Sequence, residues 1–215
     1  MGNRGREVRW LASQSLRLGI RALEQPLVYR LSQAPLAERK FAPILRHNDL
    51  SRVAHVLDVG CGPGTNAHHF PVTGYLGLDI NPAYVEYARK RHERNFVVAD
   101  LADHIPTDGS RPDFVFVNSF LHHMDDEDVR KILSRLSELM AADGRLHVLE
   151  LVLPQRPSLA RLLARLDRGA YARPLKRWHQ LFSERFEPLI FERYRLGVAG
   201  IAFWNMVYFK GRARG

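Results

Sequence analysis

Residues 53 to 65, Val53-Ala54-His55-Val56-Leu57-Asp58-Val59-Gly60-Cys61-Gly62-Pro63-Gly64-Thr65, constrain this chain more than any other stretch. A run of β-formers leads into an acid, then glycines at alternate positions, then residues able to open a helix. The pattern reads as a strand, a tight turn and a helix N-terminus, the first unit of a nucleotide-binding α/β domain. Glycine lets the backbone turn sharply and leaves room for a ligand to approach. The free N–H groups of a helix start can then donate to that ligand. The dinucleotide pattern G-x-G-x-x-G is not met, because the third glycine comes one position early. Asp58, just ahead of the turn, is a poor neighbour for pyrophosphate and a good one for an ammonium group.

Downstream, strand and helix patterns alternate. Residues 75–80 form a second strand whose acid, Asp79, lies 21 residues after Asp58, close to the ~20-residue spacing of a ribose-binding acid. Asn81-Pro82 starts a helix to about Arg94, with Tyr84, Tyr87 and Ala88 on one side. Residues 96–101 form a third strand carrying Asp100, and residues 114–117 a fourth that leads into Asn118-Ser119-Phe120-Leu121-His122-His123-Met124. Asp125-Asp126-Glu127-Asp128 supplies a helix start with favourable negative charge, and that helix runs to about Met140. Residues 144–154 form the fifth strand. Such alternation predicts an α/β fold, a Rossmann-like doubly wound sheet that is mostly parallel. Ligands of such sheets sit outside the C-terminal strand ends, where Asp58, Asp79, Asp100 and Asn118 all fall.

The flanks differ from this core in charge. The net charge of +9 divides into +5 over residues 1–50, −5 over 51–150 and +9 over 151–215. Basic flanks suit an anionic substrate, an anionic membrane surface or RNA, or else solvated arginine-rich faces. Residues 1–50 read as a helical arm or cap: a helix over 7–24, then short helices opened by Pro26 and Pro35, with Leu36, Phe41, Ile44 and Leu45 giving the last an apolar side. His47-Asn48-Asp49 breaks it. Residues 51–215 read as the catalytic domain, with a lid-like helical insertion at about 155–173. Within it, residues 157–168 form a basic amphipathic helix with Leu159, Leu162, Leu163 and Leu166 inward and Arg161, Arg165 and Arg168 outward. A helix from Pro174 to about Arg185 follows, then two β-rich runs joined by Gly197-Val198-Ala199-Gly200, an antiparallel pair.

The single cysteine, Cys61, excludes an internal disulfide and a thiolate zinc cluster and suits a reducing cytoplasm. Charges every few residues near the N-terminus predict neither signal peptide nor membrane span, and Arg6 argues against N-myristoylation of Gly2.

From 53 to 154 the chain resembles the class I S-adenosylmethionine-dependent methyltransferases, and the C-terminal strand pair extends the likeness to about 210. The Leu121-His122-His123-Met124 run resembles the small-molecule, quinone-methylating type. The resemblance implies S-adenosylmethionine as cofactor, with Asp58, Gly60, Cys61, Gly62 and Gly64 around its methionine end. It places Asp79 and Ile80 at the ribose, Asp100 and Leu101 at the adenine, and Asn118 beside the sulfonium. The helix after the glycines is the departure from the family pattern, cut short by His68-His69-Phe70-Pro71.

Methyl transfer from a sulfonium is an in-line displacement, for which the protein aligns the reactants and excludes water. A hydroxyl or acidic carbon also needs a base, and His122 or His123 is the candidate, His122 first. The bland alternative is that one of the two caps a helix or packs beneath the loop. Strand alternation turns His147 and Glu150 to opposite faces, which makes Glu150 a candidate substrate contact alongside Tyr171 and Arg173; a buried ion pair and a solvated arginine are the plain alternatives. Aromatic Phe120, Tyr171, Trp178, Phe182, Phe203 and Trp204 could line an apolar site or pack the core. Paired histidines at 68–69 and 122–123 lack a Cys or H-x-E partner at metal spacing, so no metal is expected. An Asn/Asp-Pro-Pro-Tyr/Phe tetrad after the fourth strand is absent, and Cys61 lies in the wrong loop for RNA C5 chemistry. A nucleic-acid acceptor is therefore not expected. The expected activity is O- or C-methylation of a small, apolar or amphiphilic acceptor. Two alternatives are a membrane-surface enzyme acting on a lipid-linked acceptor and a cofactor-binding partner protein without catalysis.

Overall fold

The computed structural model describes residues 26–102, 110–166 and 171–214. The expected helix over 7–24 lies outside them. Seven strands form one sheet: β1 (Val56–Val59), β2 (Tyr75–Asp79), β3 (Asn95–Val98), β4 (Phe114–Asn118), β5 (Arg145–Leu151), β6 (Phe186–Val198) and β7 (Ile201–Ala213). Their order is β3-β2-β1-β4-β5-β7-β6. The first five pair in parallel and β7 runs antiparallel to both β5 and β6. From β1 the chain builds outward to β2 and β3, then returns to lay β4 and β5 on the other side. The switch point therefore lies between β1 and β4, and ligand crevices form there.

Among the described residues five helices accompany the sheet: α1 (Pro26–His47), α2 (Pro82–Arg91), α3 (Asp126–Leu139), α4 (Leu159–Leu166) and α5 (Leu175–Arg185). Their starts are written locally. Asn81 caps α2 by accepting from the Ala83 N–H at 2.9 Å, with Pro82 in the first turn. Asp125 caps α3 through the Asp128 N–H at 2.9 Å. Spacing then decides the packing. On α3, Val129, Ile132, Leu133, Leu136 and Leu139 fall at helical steps and are all buried. Strand alternation sorts the core into two layers. Leu57, Val59, Val115, Val117, Leu146 and Val148 join α3 and α5 on one face. Val56, Phe114, Phe116 and Leu149 join Phe41 and Ile44 of α1 and Val85 and Ala88 of α2 on the other.

Three local expectations are corrected. Pro35 does not open a new helix; α1 runs through it as one helix of 22 residues. An interior proline gives up the bond to the Leu31 carbonyl at a cost of ~3 kcal/mol. Burying Phe41 and Ile44 completely returns roughly 2 kcal/mol each, enough to offset it. Leu45, expected on the apolar side, is 48% exposed. On α2 the buried residues are Val85 and Ala88, with Tyr84 and Tyr87 only half-buried. On α4 the inward residues are Ala160 and Ala164, while Leu159 and Leu162 are 45% and 55% exposed. Small alanines let this short helix lie close on the β7 layer, which rotates Leu159 and Leu162 outward; the Leu166 side chain and Arg168 lie outside what is described.

Candidate active site

The glycine turn is tied to the end of β2. The N–H groups of Gly60 and Cys61 both donate to the Leu78 carbonyl, at 2.8 and 3.0 Å. Gly60 and Gly62 adopt φ of +69° and +55°, left-handed values that side chains disfavour. A Cβ at Gly60 would also meet the Phe120 ring at 3.0 Å, whereas one at Gly62 would meet nothing within 4 Å. Backbone at Gly62 thus faces open space. Asp79 holds this turn: its Oδ2 accepts from the Gly62 N–H and its Oδ1 from the Asn81 N–H, both at 2.8 Å. A carboxylate has about four acceptor sites, so both oxygens retain capacity for a ligand.

A narrow slot of about 50 Å³ opens beside the turn, lined by Gly60, Asp79, Ile80, Asp100, Leu101 and Phe120, with Ile132 of α3 among its apolar walls. Five of the residues expected at the cofactor meet here. Asp100 and Leu101 lie past the end of β3, in the loop rather than the strand. The Asp100 Oδ1 accepts from the Ala102 N–H at 2.9 Å. Asn118 ends β4, and its Oδ1 is buried without a hydrogen-bond partner among the described residues. Ser119 next to it takes φ of +50°, a strained value for a non-glycine residue.

Asp58 and Cys61 stand elsewhere than expected. Asp58 is 2% exposed and does not line the slot; its Oδ2 accepts from the Tyr75 hydroxyl at 2.7 Å. Alternation along β1 explains this, since Leu57 and Val59 take the α3 face and turn Asp58 toward Tyr75 and Phe116. Burial, only partly countered by the Tyr75 hydrogen bond, pushes its carboxyl up to about 7. Cys61 is buried against the turn, and burial raises its thiol far above the usual range. It is no nucleophile.

A second cluster forms past β4. The chain makes a short 3-10 turn at Leu121–His123, which Glu150 of β5 anchors from below. Glu150 is fully buried. Its Oε2 accepts from the Leu121 N–H at 2.8 Å, and its Oε1 accepts from the Leu151 N–H at 2.8 Å and faces the His122 Nδ1 at 2.5 Å. Burial alone would raise the Glu150 carboxyl; the His122 charge and hydrogen bond and the Leu151 N–H outweigh it, so the group sits below its ordinary value. Fully enclosed, Glu150 positions His122 and does not reach a substrate. His122 is 3% exposed, while its neighbour His123 is exposed, with ring centroids 4.2 Å apart.

Arg173 is also a structural group. It is 5% exposed, donates from Nε to Asp126 at 2.6 Å and from Nη2 to the Met124 carbonyl at 2.6 Å, and lies over the Trp178 ring at 4.8 Å. It clamps the histidine turn to α3 and α5. Sequence reasoning missed Asp126 as its partner; the acid read as helix-start charge, although it also pairs with Arg177. Tyr171 is 45% exposed, and its N–H donates to the His122 carbonyl at 3.1 Å. Trp178 and Phe182 are core residues with no exposed surface. His147 packs on the opposite face, stacked on Phe114 at 3.8 Å.

Residues 56–144 match a family described as a methyltransferase domain. Trans-aconitate 2-methyltransferase of Paracidovorax citrulli is 33% identical over 110 residues, which cover 49% of this chain and 42% of that protein. Its counterpart in Methylobacterium radiotolerans is 36% identical over 115 residues, 51% of this chain and 43% of that one. This chain therefore spans less than half the length of these curated relatives. Among solved structures, human N-acetylserotonin methyltransferase in complex with SAM superposes with a TM-score of 0.69 at 20% identity, covering 95% of this chain and 61% of that one. At that identity the likeness is one of fold.

Proposed function

We propose that this chain, whose residues 56–144 match a methyltransferase domain, is a class I S-adenosylmethionine-dependent enzyme that methylates oxygen or an acidic carbon of a small acceptor. The observation that carries this reading is the glycine turn and Asp79 carboxylate converging on an apolar slot, next to a buried His–Glu pair. The residues fit the cofactor. Open space over Gly62 suits a close ligand, the Asp79 oxygens can take two hydroxyls, and Leu101 and Ile80 offer an apolar surface to a base. The partnerless Asn118 Oδ1 is an acceptor in want of a donor or a cationic neighbour. When bound, S-adenosylmethionine supplies an electrophilic methyl group.

Glu150 then defines the acid–base role of His122. With Nδ1–H directed at Glu150, the imidazole is held in one tautomer and Nε2 becomes the nitrogen that takes a proton. A carboxylate held in its ionised form stabilises the imidazolium that results, much as an aspartate does in a hydrolase triad. Burial of both groups keeps bulk water from competing. In that arrangement the His122 Nε2 would accept the proton given up by the acceptor's oxygen or acidic carbon.

Calorimetry of the purified full chain with S-adenosylhomocysteine tests the cofactor assignment; no binding would end the reading. Transfer of labelled methyl from S-adenosylmethionine to panels of small carboxylic acids and phenols then tests the acceptor class. The trans-aconitate relatives make di- and tricarboxylic acids the first panel.

A lipid-linked acceptor is the second reading. Exposed Leu159 and Leu162 on α4, beside exposed Arg156 and Arg165, are the features of a helix that rests on an anionic surface. Among the described residues no helix is long and apolar enough to cross a membrane. Flotation with anionic vesicles at low salt discriminates, and a chain left wholly in the bottom fraction rejects it.

A further inference from the structure

The paired histidines after the glycine turn acquire in three dimensions a partner from far upstream. Glu38 of α1 reaches the 3-10 turn Ala67–His69, placing its Oε1 3.3 Å from the His68 Nε2 and 3.6 Å from the His69 Nε2. All three donor atoms lie within 4.8 Å of one another.

The His68 contact is a long hydrogen bond and the His69 contact is longer still. The other described His–carboxylate pairs in this chain close to 2.8 Å, between His47 and Glu192, and 2.5 Å, between His122 and Glu150. A contact of ~3.6 Å is not a hydrogen bond at all. Separations of roughly 3.3–3.5 Å are instead what adjacent ligands show around a tetrahedral ion bound at ~2.1 Å. We propose that Glu38, His68 and His69 form a zinc site, with the fourth position left to water.

The donor set selects the metal. Two imidazoles and one carboxylate suit zinc, and cobalt or nickel as substitutes, over magnesium or calcium, which take oxygen ligands. Rigidity supports it too. The His69 ring stacks on the buried Phe41 ring at 4.0 Å and 5°, and Phe70 packs edge-on to the same ring at 5.7 Å. Turn and helix are therefore held together before any ion arrives, and the exposed Glu38 and His68 side chains must adjust. The site opens on a cleft of about 240 Å³ that Pro63, Thr65, Tyr87 and Arg91 also line. Within it the Thr65 hydroxyl is buried without a partner among the described residues. The ion joins α1 to the segment leaving the glycine turn and fastens the cap against the cofactor loop.

The test uses the full chain stripped with a chelator and titrated with zinc chloride by calorimetry, with cobalt absorption as a second readout. The expected result is one site per chain and a visible cobalt band typical of four-coordination. Glu38→Gln and His68→Asn, both at exposed positions, are expected to weaken zinc at least 10-fold, while His123→Asn leaves it unchanged. S-adenosylhomocysteine affinity, measured on the same samples, reports separately on the cofactor slot. Absence of zinc binding, or zinc affinity unchanged from the parent in Glu38→Gln and His68→Asn, overturns the site.

Discussion

At the scale of single residues, the sharpest expectation concerns Asp79. Its two oxygens accept from two backbone N–H groups, so Asp79→Asn must turn an amide NH₂ toward one of them. One donor then faces another, at a cost of ~1–3 kcal/mol. Calorimetry is expected to show S-adenosylhomocysteine affinity reduced 10-fold or more, together with a melting temperature lowered by at least about 2 °C. His122 and His123 separate by the same logic. His122→Asn keeps an amide donor for Glu150 but removes the Nε2 that takes the proton, and the transfer rate should fall by roughly 100-fold or more. His123→Asn, at an exposed position, should leave it within a few-fold. Equal losses in the two variants would remove His122 from the base role. Much at this scale was readable from the sequence. Asp79, Ile80, Asp100 and Leu101 sit at fixed offsets from strand ends, and strand ends follow from local pattern. Asp58 and Glu150 were less readable, because whether a strand residue faces a slot or a partner depends on which neighbour lies across from it. Nothing near Asp58 in sequence says that Tyr75 will bond it.

The histidine turn is the element on which the proposed chemistry depends, and Arg173 is what holds it. The guanidinium serves the Asp126 carboxylate and the Leu121, Met124 and Tyr171 carbonyls together. Arg173→Gln would leave these acceptors buried and Asp126 with Arg177 alone. Asp126 is about a third exposed and keeps Arg177, so the loss is that of the donors to the buried Leu121 and Met124 carbonyls, about 1–3 kcal/mol. Urea unfolding should register that loss, and hydrogen exchange should quicken at Leu121–His123 before elsewhere. A variant as stable as the parent would mean that Arg177 suffices. Elements with strong periodicity, such as α3, were legible to within a residue. α4 was not, since its leucines and alanines offer two apolar sides and only the approach to β7 selects the alanines. The sequence likewise left no sign that α1 would continue past Pro35, a choice made by the distant pocket that Phe41 fills.

For the molecule as a whole, buried titratable groups contribute to how stability varies with pH, and three of them, Asp58, His147 and Glu150, do not act in the same direction. Asp58 is held up to about 7, against 3.8 for an ordinary aspartate. Between those values the native state keeps a proton that the unfolded chain has lost, so stability falls as pH rises from about 4 to about 7 and levels beyond. His147 runs the other way. Burial first, then Lys210 and Arg145, holds it well below 6.5; the unfolded chain takes up a proton that the native state refuses, and stability falls as pH drops below about 6.5. Glu150 adds to that acid limb only beneath its ordinary value of 4.5. Asp58→Asn keeps an oxygen for the Tyr75 hydroxyl and removes the charge. Its stability relative to the parent should therefore increase from pH 4 to pH 7, by at most about 4 kcal/mol, and stay constant above. His147→Asn should improve relative to the parent in the opposite direction, from pH 6.5 downward, once the charge penalty is gone. Denaturant unfolding across pH 4 to 8 reads both slopes in one series. If Asp58→Asn tracked the parent in parallel over the whole range, the Asp58 carboxyl would be ionised in the folded protein throughout. The group would then be available as a fixed negative charge behind the glycine turn, the electrostatic role for which its position in the sequence first marked it.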